Sequence, residues 1–481
     1  MDGAGGEFVE NFEKVEYLGR FFASVFTREP EHQLDYVNSA VIDAGPVLEY
    51  ILFPEPLMQR DMQNLKEAKS MGPDDLPAKF LKELAGELSK PLAHIFNSLF
   101  ESGKLPSEWK AVNICHKYKS GARSNVKNYR RVSLTSICCR IMESLIKKVT
   151  MKFLEEYRLL SELQHGFRQN HSCLSRSSLS TDQWTRALDE DGRVDVINTD
   201  FKKAFDSVPH KRLIYKLSEI GIRGMLLTWI ADFLTRRLQT VCVDTLKSTP
   251  TPVLTGVPQG WVLGPLIFLV SINDWVDDLD CSAVMFADDV KLWRVIRSDS
   301  DRHALQEDLN RLSNWSARWL LNFNVGKCVV LRLRTRSTSE EDDSYENILN
   351  GQPLSIFEKE KDLGVLINSS LKPSSHFQES VQILVEFVLC PFGARQWGCV
   401  GADDGGKLVS PESPAEADQA IVDALWQTGQ KSHHVPSNGK GKTSLASLCL
   451  SPAAPEKCEP GIFLIQLTLL GESGLAESSN I

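Results

Sequence analysis

Two adjacent carboxylates, Asp288 and Asp289, lie between the apolar runs Ala283-Val284-Met285 and Val290-Lys291-Leu292-Trp293. The pattern is that of strand, tight turn and strand, with the acids at the turn of a β-hairpin. Two anions side by side repel. A divalent cation between them removes that penalty, and Mg²⁺ prefers hard oxygen ligands of this type. An Asp-Asp pair at a turn is also common as a simply solvated feature. A second acidic strand end, Asp195-Val196-Ile197-Asn198-Thr199-Asp200, runs into Phe201-Lys202-Lys203-Ala204-Phe205-Asp206. Two-metal phosphoryl transfer needs carboxylates from separate strands that hold ions about 4 Å apart, one ion activating an attacking 3′-hydroxyl and the other stabilising departing pyrophosphate. Asp200, Asp288 and Asp289 form such a set.

Between these strand ends, Thr255 to Pro265 holds three glycines and two prolines in eleven residues, which imposes an unusual backbone path. A tight structural loop and a loop that admits a base pair both fit that composition. Lys104 to Thr150 carries 11 basic residues against Glu108 and Glu143 alone, a density that attracts a phosphate backbone or forms a solvated face.

The elements that must position these groups are legible as periods. Phe8 to Phe26 repeats Phe12, Val15, Leu18, Phe21, Phe22 and Val25 at helical spacing. Met58, Met62 and Leu65 continue such a period before the Gly72-Pro73-Asp74-Asp75 turn. A longer helix follows with Phe80, Leu84, Leu88, Leu92, Ile95 and Leu99 as its apolar face, kinked or split by Pro91 and stopped by Gly103. Short strands are expected at Ala111–Cys115 and Val194–Asp200, and helices at Ser136–Leu154 and Lys211–Ile220. Strands mixed with helices and hairpins predict an α+β domain.

The net charge of -9 argues against a nucleic-acid partner only as an average. Met58 to Thr338 has 42 Lys and Arg against 32 Asp and Glu, so the middle is basic and the flanks are acidic. The 11 cysteines include no CxxC pair, which suits reduced thiols in an intracellular protein. No apolar run is long enough to span a bilayer, so no membrane partner is expected. A metal-dependent phosphohydrolase is disfavoured because no His-rich or further acidic cluster accompanies the aspartates.

The ordered set Gln164-His165-Gly166-Phe167-Arg168, Asp200 to Asp206, Gly256 to Pro265, Phe286-Ala287-Asp288-Asp289, Phe323 to Lys327 and Lys361 to Val365 resembles the motifs of non-LTR (LINE-type) retrotransposon reverse transcriptases. Jockey-like and chicken-repeat-like elements share this pattern. The resemblance runs from about Phe8 to about His376 and includes Gly72 to Asp74 and Asn128 to Ser136. It implies a right-hand polymerase with fingers and palm, which copies RNA into DNA from a DNA primer 3′-hydroxyl with deoxynucleoside triphosphates and Mg²⁺, or Mn²⁺ in its place. Asp200, Asp288 and Asp289 would be the catalytic metal ligands. Phe205 would be the steric gate against a ribose 2′-hydroxyl, Lys117, Lys119, Arg130 and Lys327 would meet phosphates or template, and Gln259 and Gly260 would support the nascent base pair. The compartment by family would be nuclear or cytoplasmic.

Trp261 stands where the family has a small serine, Arg131 and Cys115 replace prolines, and Met71 and Asp75 replace the Pro and Gly of a tight turn. The indole is expected to block the nucleotide pocket or to push the Gln259-Gly260 turn outward. No endonuclease region precedes the motifs, and the likeness to a thumb fades after about His376, which reads as a truncated copy with its thumb degraded or absent. The expected organisation is a helical extension at 1–57, a reverse-transcriptase domain at 58–380 and an unrelated, largely disordered tail at 381–481. The alternative reading is a non-catalytic nucleic-acid-binding remnant of such an element.

Overall fold

The computed structural model describes residues 11–26, 29, 45–190, 192–257, 259–334 and 345–371, with two short strands further on. The chain divides into two units, Met1–Ser380 and Val381–Ile481. In the second, the described residues are Gly401–Ala402 and Leu408–Val409, which pair antiparallel. The expectations of a disordered tail and a degraded thumb therefore fall on residues outside those described.

The first unit begins with helices α1 (Asn11–Ala23), α2 (Glu55–Gln63), α3 (Ala78–Glu83), α4 (Ala85–Ser102) and the single turn α5 (Ser107–Lys110). Strand β1 (Ala111–Tyr118) pairs antiparallel with β2 (Tyr129–Leu134), and α6 (Ile137–Glu156) and α7 (Cys173–Asp189) lead to β3 (Arg193–Thr199). Helices α8 (Ala204–Ser207), α9 (His210–Glu219) and α10 (Gly224–Leu234) precede β4 (Arg237–Val243), β5 (Leu246–Lys247) and β6 (Thr251–Val253). Then come α11 (Gly264–Ile272), the hairpin β7 (Ser282–Phe286) and β8 (Asp289–Ile296), α12 (Asp299–Trp319) and β9 (Val329–Leu333). Short strands β10 (Ile348–Leu349), β11 (Gln352–Pro353), β12 (Ser355–Phe357), β13 (Lys359–Asp362) and β14 (Val365–Asn368) complete the unit.

Two mixed sheets organise it, which makes the fold a mixed helix-and-sheet architecture. One has the order β2-β1-β4-β5, with β6 also on β4 and β1 parallel to β4. The other has the order β12-β9-β3-β8-β7, so β3 is flanked antiparallel by β9 and β8. β3 lies at the middle of this sheet and is buried along nearly its whole length, and its buried charges pair with each other, Arg193 Nε donating to Asp195 Oδ1 at 2.9 Å. Val194 and Val196 face a cluster with Trp184, Trp293 and Leu331, while Ile197 faces the main core with Leu292 and Val330. The end of β3 is thereby held from two sides. No helix among the described residues is long and apolar enough to cross a membrane.

Two expectations about helix faces need correction. In α4 the buried side chains are Ala85, Ser89, Ala93, Phe96 and Phe100, while Leu88, Leu92 and Leu99 are only partly covered and Phe80 and Ile95 are exposed. Small residues on that face allow α2 to approach closely, and Phe96 and Phe100 then meet Phe53 edge-on at 5.9 and 5.5 Å. The break falls at Leu84, between α3 and α4, while Pro91 lies inside α4. Gly103 stops the helix as expected, with φ 62° in the left-handed region. In α1, Val15, Leu18 and Phe22 are buried but Phe12 is exposed.

Candidate active site

The two acidic strand ends meet through the register of the second sheet. Thr199 pairs with Val290, and extending that antiparallel ladder by one pair sets Asp200 across from Asp289. Phe286 pairs with Asp289, so β7 and β8 close through Ala287 and Asp288 alone. Ala287 takes φ 54°, which a residue with a Cβ adopts only when its surroundings hold it there. Asp200 and Asp288 both line one cavity of ≈ 630 Å³, although 88 positions separate them in the chain. Asp289 is exposed at the start of β8 and is not among the lining residues.

Burial pushes the Asp288 carboxyl up to about 6, and the neighbouring charges of Asp289 and Asp200 push the same way. Asp289 is exposed as a residue, yet the packing around its carboxyl raises it too, with Arg176 and Lys291 opposing and Asp200 and Asp362 adding to the rise. Asp200 is fastened independently. Its Oδ2 accepts a hydrogen bond from Asn324 Nδ2 at 2.9 Å and lies 3.5 Å from Lys327 Nζ, and its backbone N–H points to Cys328 Sγ at 3.3 Å.

Among the described residues no three His, Cys, Asp or Glu side chains form a ready metal cage. Mg²⁺ is commonly held by one or two carboxylates together with substrate phosphates, so two oxygen-donor side chains facing one cavity fit that ion. Burial, with the neighbouring carboxylate charges behind it, raises Asp288, and a cation bound there would offset that cost of its ionised form.

The binding residues expected from the sequence divide into two groups. Lys119, Arg130, Phe205, Gln259 and Lys327 line the cavity with the two acids. Lys117 does not; it is exposed on β1, directly across from Arg130. Paired residues share a face of the sheet, but β1 lies one strand farther than β2 from the Gln259 loop, and Lys119 reaches the cavity only because it lies past the end of β1. Gly260 also lies outside the lining. It has φ 109°, and a Cβ there would run into the Ser133 carbonyl oxygen. Together with the Ser133 N–H bond to the Gln259 carbonyl at 2.7 Å, this presses the loop against β2 and leaves the Gln259 side chain toward the cavity. Phe205 stacks on Phe268 with centroids 4.0 Å apart, which fixes its ring at the cavity wall.

Trp261 departs from the expectation. Its indole is 3 % exposed within the main core, edge-on to Phe233 at 5.0 Å and 4.4 Å beneath the Arg237 guanidinium. It does not line the cavity. The reason is in the loop that follows: Glu143 on α6 accepts the backbone N–H groups of Val262 and Leu263 at 2.8 and 3.1 Å and draws that stretch inward. Arg131, another departure, bonds Asp206 through Nε at 2.9 Å and the Phe22 carbonyl at 3.2 Å, so it joins β2 to α8 and to α1. Asp75 adopts φ 50°, the conformation that a glycine favours at that turn.

Several residues at the site are ones that sequence reasoning missed. Asn324 holds Asp200, yet within Phe323 to Lys327 the resemblance marks only Lys327. Lys127, Lys202 and Lys203 add cations to the cavity, and Phe21, Phe22 and Val25 at the end of α1 form part of its rim. The charge density of the Lys104–Thr150 stretch points to Lys127; nothing in the sequence points to the rim.

The family described as "Reverse transcriptase (RNA-dependent DNA polymerase)" matches residues 117–384. The chain is 28 % identical over 347 residues to the RNA-directed DNA polymerase from mobile element jockey of Drosophila melanogaster, covering 69 % of this chain and 37 % of that protein. It is 29 % identical over 405 residues to the probable RNA-directed DNA polymerase from transposon BS of the same organism, covering 79 % and 43 %. It is 27 % identical over 321 residues to the probable RNA-directed DNA polymerase from transposon X-element, covering 64 % and 34 %. The chain thus spans about two fifths of the length of these curated relatives.

Proposed function

Since this chain belongs to the reverse transcriptase (RNA-dependent DNA polymerase) family and carries a reverse-transcriptase domain of the non-LTR retrotransposon kind, we propose that its cavity extends a DNA primer on an RNA template. Residues 58–380 are read as fingers and palm, the first sheet serving the fingers and the second the palm, with 1–57 as a helical extension and 381–481 as a segment apart. The observation that carries the reading is the convergence of Asp200 and Asp288 in one cation-lined cavity.

Asp200 and Asp288, with Asp289 beside them outside the cavity lining, would hold Mg²⁺, or Mn²⁺, which supplies activation of the primer hydroxyl and neutralisation of the leaving pyrophosphate. The side chains do the rest. Asn324 and Lys327 orient the Asp200 carboxylate, and Lys327 doubles as a partner for phosphate oxygens. Arg130 and Lys119 enter from the β1–β2 side and neutralise the triphosphate or the template backbone. The Phe205 ring, braced by Phe268, meets the sugar where a 2′-hydroxyl would project, and Gln259 lies beneath the nascent base pair.

Primer extension on an RNA template with Mg²⁺ or Mn²⁺ tests this directly. Extension that Asp200→Asn abolishes supports it. Tight, salt-sensitive binding of primer and template without extension selects the second reading, a nucleic-acid-binding remnant. The observation that favours that reading is the row of cations Lys119, Lys127, Arg130, Lys202 and Lys203 along the cavity, which attracts a phosphate backbone with or without turnover.

A further inference from the structure

The turn that presents Asp288 is held from outside its own hairpin. The Gln164 side chain is 2 % exposed, and its Oε1 accepts two backbone N–H groups, those of Gly166 at 2.7 Å and Ala287 at 2.8 Å. Its Nε2 donates in turn to the Ala287 carbonyl at 3.4 Å. One primary amide thus grips both backbone polar groups of the residue with φ 54° that precedes Asp288. An isolated two-residue turn with alanine in this conformation would relax, and relaxation would move the Asp288 carboxylate.

The grip belongs to a rigid frame. The Met285 N–H donates to the Leu163 carbonyl and the His165 N–H donates to the Met285 carbonyl, both at 2.8 Å, which lays residues 163–165 along the outer edge of β7 as a further bridge. Gly166 passes so close that a Cβ there would run into the Ala287 backbone nitrogen. Behind it, the buried Arg168 bonds Glu155 at 3.0 and 2.7 Å and the Ser161 carbonyl at 2.7 Å, anchoring the segment to the end of α6. Phe167 meets Phe205 edge-on at 6.2 Å, so the same segment also touches the ring that faces the sugar.

We propose that Gln164 is a positioning residue that fixes the Ala287-Asp288 turn, and through it sets the affinity of the site for its divalent cation. The proposal rests on the active-site reading above. It attributes to Gln164 no contact with substrate, and it asks of the side chain two acceptor positions and one donor that no apolar residue of equal length supplies.

The test uses the full chain with Gln164→Met and Gln164→Glu, read by hydrogen exchange over residues 285–289, by Mn²⁺ binding followed by electron paramagnetic resonance, and by thermal midpoint. The methionine variant leaves two buried N–H groups unpaired, so exchange at the turn should rise about tenfold, the equivalent of a net hydrogen bond. Mn²⁺ affinity should fall about tenfold or more, as when a group orienting a metal ligand is lost. The glutamate variant keeps an acceptor oxygen for both N–H groups but, ionised, lacks the donor to the Ala287 carbonyl, so its protection should lie between those of the methionine variant and the parent. Turn exchange and Mn²⁺ affinity in the methionine variant equal to those of the parent would overturn the proposal. Should the methionine variant not fold, unprotected turn amides in the glutamate variant would overturn it equally. A parent chain that binds no Mn²⁺ would remove the metal-site reading, and the claim on the cation with it, while the exchange comparison still decides whether Gln164 holds the turn.

Discussion

Replacing Trp261 with serine, the residue that the family resemblance places there, should weaken the protein rather than open its pocket. The indole is buried in the main core against Phe233 and under Arg237, and removing a fully packed tryptophan costs about 3 to 5 kcal/mol in transfer and cavity terms. Arg237, itself fully buried, loses a ring partner worth about 0.5 to 2 kcal/mol. At about 2 to 4 °C per kcal/mol for a domain of this order of size, the thermal midpoint should fall by roughly 10 °C. Differential scanning calorimetry gives the shift, and primer extension on an RNA template run beside it should show no gain. A variant with an unchanged midpoint that extends primers where the parent does not would refute the placement of the indole in the core and restore the blocked-pocket expectation.

Asp200→Asn and Asp288→Asn should each lower extension about a thousandfold or more, since losing a metal ligand forfeits several kcal/mol of charge stabilisation, while filter-binding affinity for primer and template stays within a few-fold. Because Asp288 is raised to about 6, above its ordinary range, its protonated form is the one favoured by folding: that contribution is fully present below about pH 4 and is lost as pH rises through 6. Added Mg²⁺ should recover stability above pH 6 and have little effect near pH 4, as thermal midpoints across that range would reveal; a Mg²⁺ effect independent of pH would contradict the shared-charge account. Phe205→Val should raise incorporation of ribonucleotides relative to deoxynucleotides about tenfold or more in single-nucleotide extension, with some loss of stability from the Phe268 stack; unchanged sugar preference would remove Phe205 from its gate role.

The strand-turn-strand around Asp288 and the β-branched run leading to Asp200 were legible because each is a local pattern, set by strand-forming residues and turn chemistry within about ten residues. The long helix 137–156 and the stop at Gly103 were legible for the same reason. Motif order supplied the family. Which side of α4 is buried was not legible, because two adjacent stripes were both apolar enough and the approach of α2 chose the one with small residues. Trp261 shows the limit most clearly. Its neighbours in sequence suggested the pocket, but Glu143, 118 positions earlier, holds the following backbone and sends the ring into the core. Lys117 and Lys119 differ by two residues and end in different places because the end of β1, not composition, aims them. Gln164 read only as part of a motif, and its amide acquires a role when the β7–β8 turn lies alongside to accept it. The sequence by itself determined the chemical groups and the short elements that carry them. Their convergence depended on long-range pairing and burial, which act between residues that no local period connects.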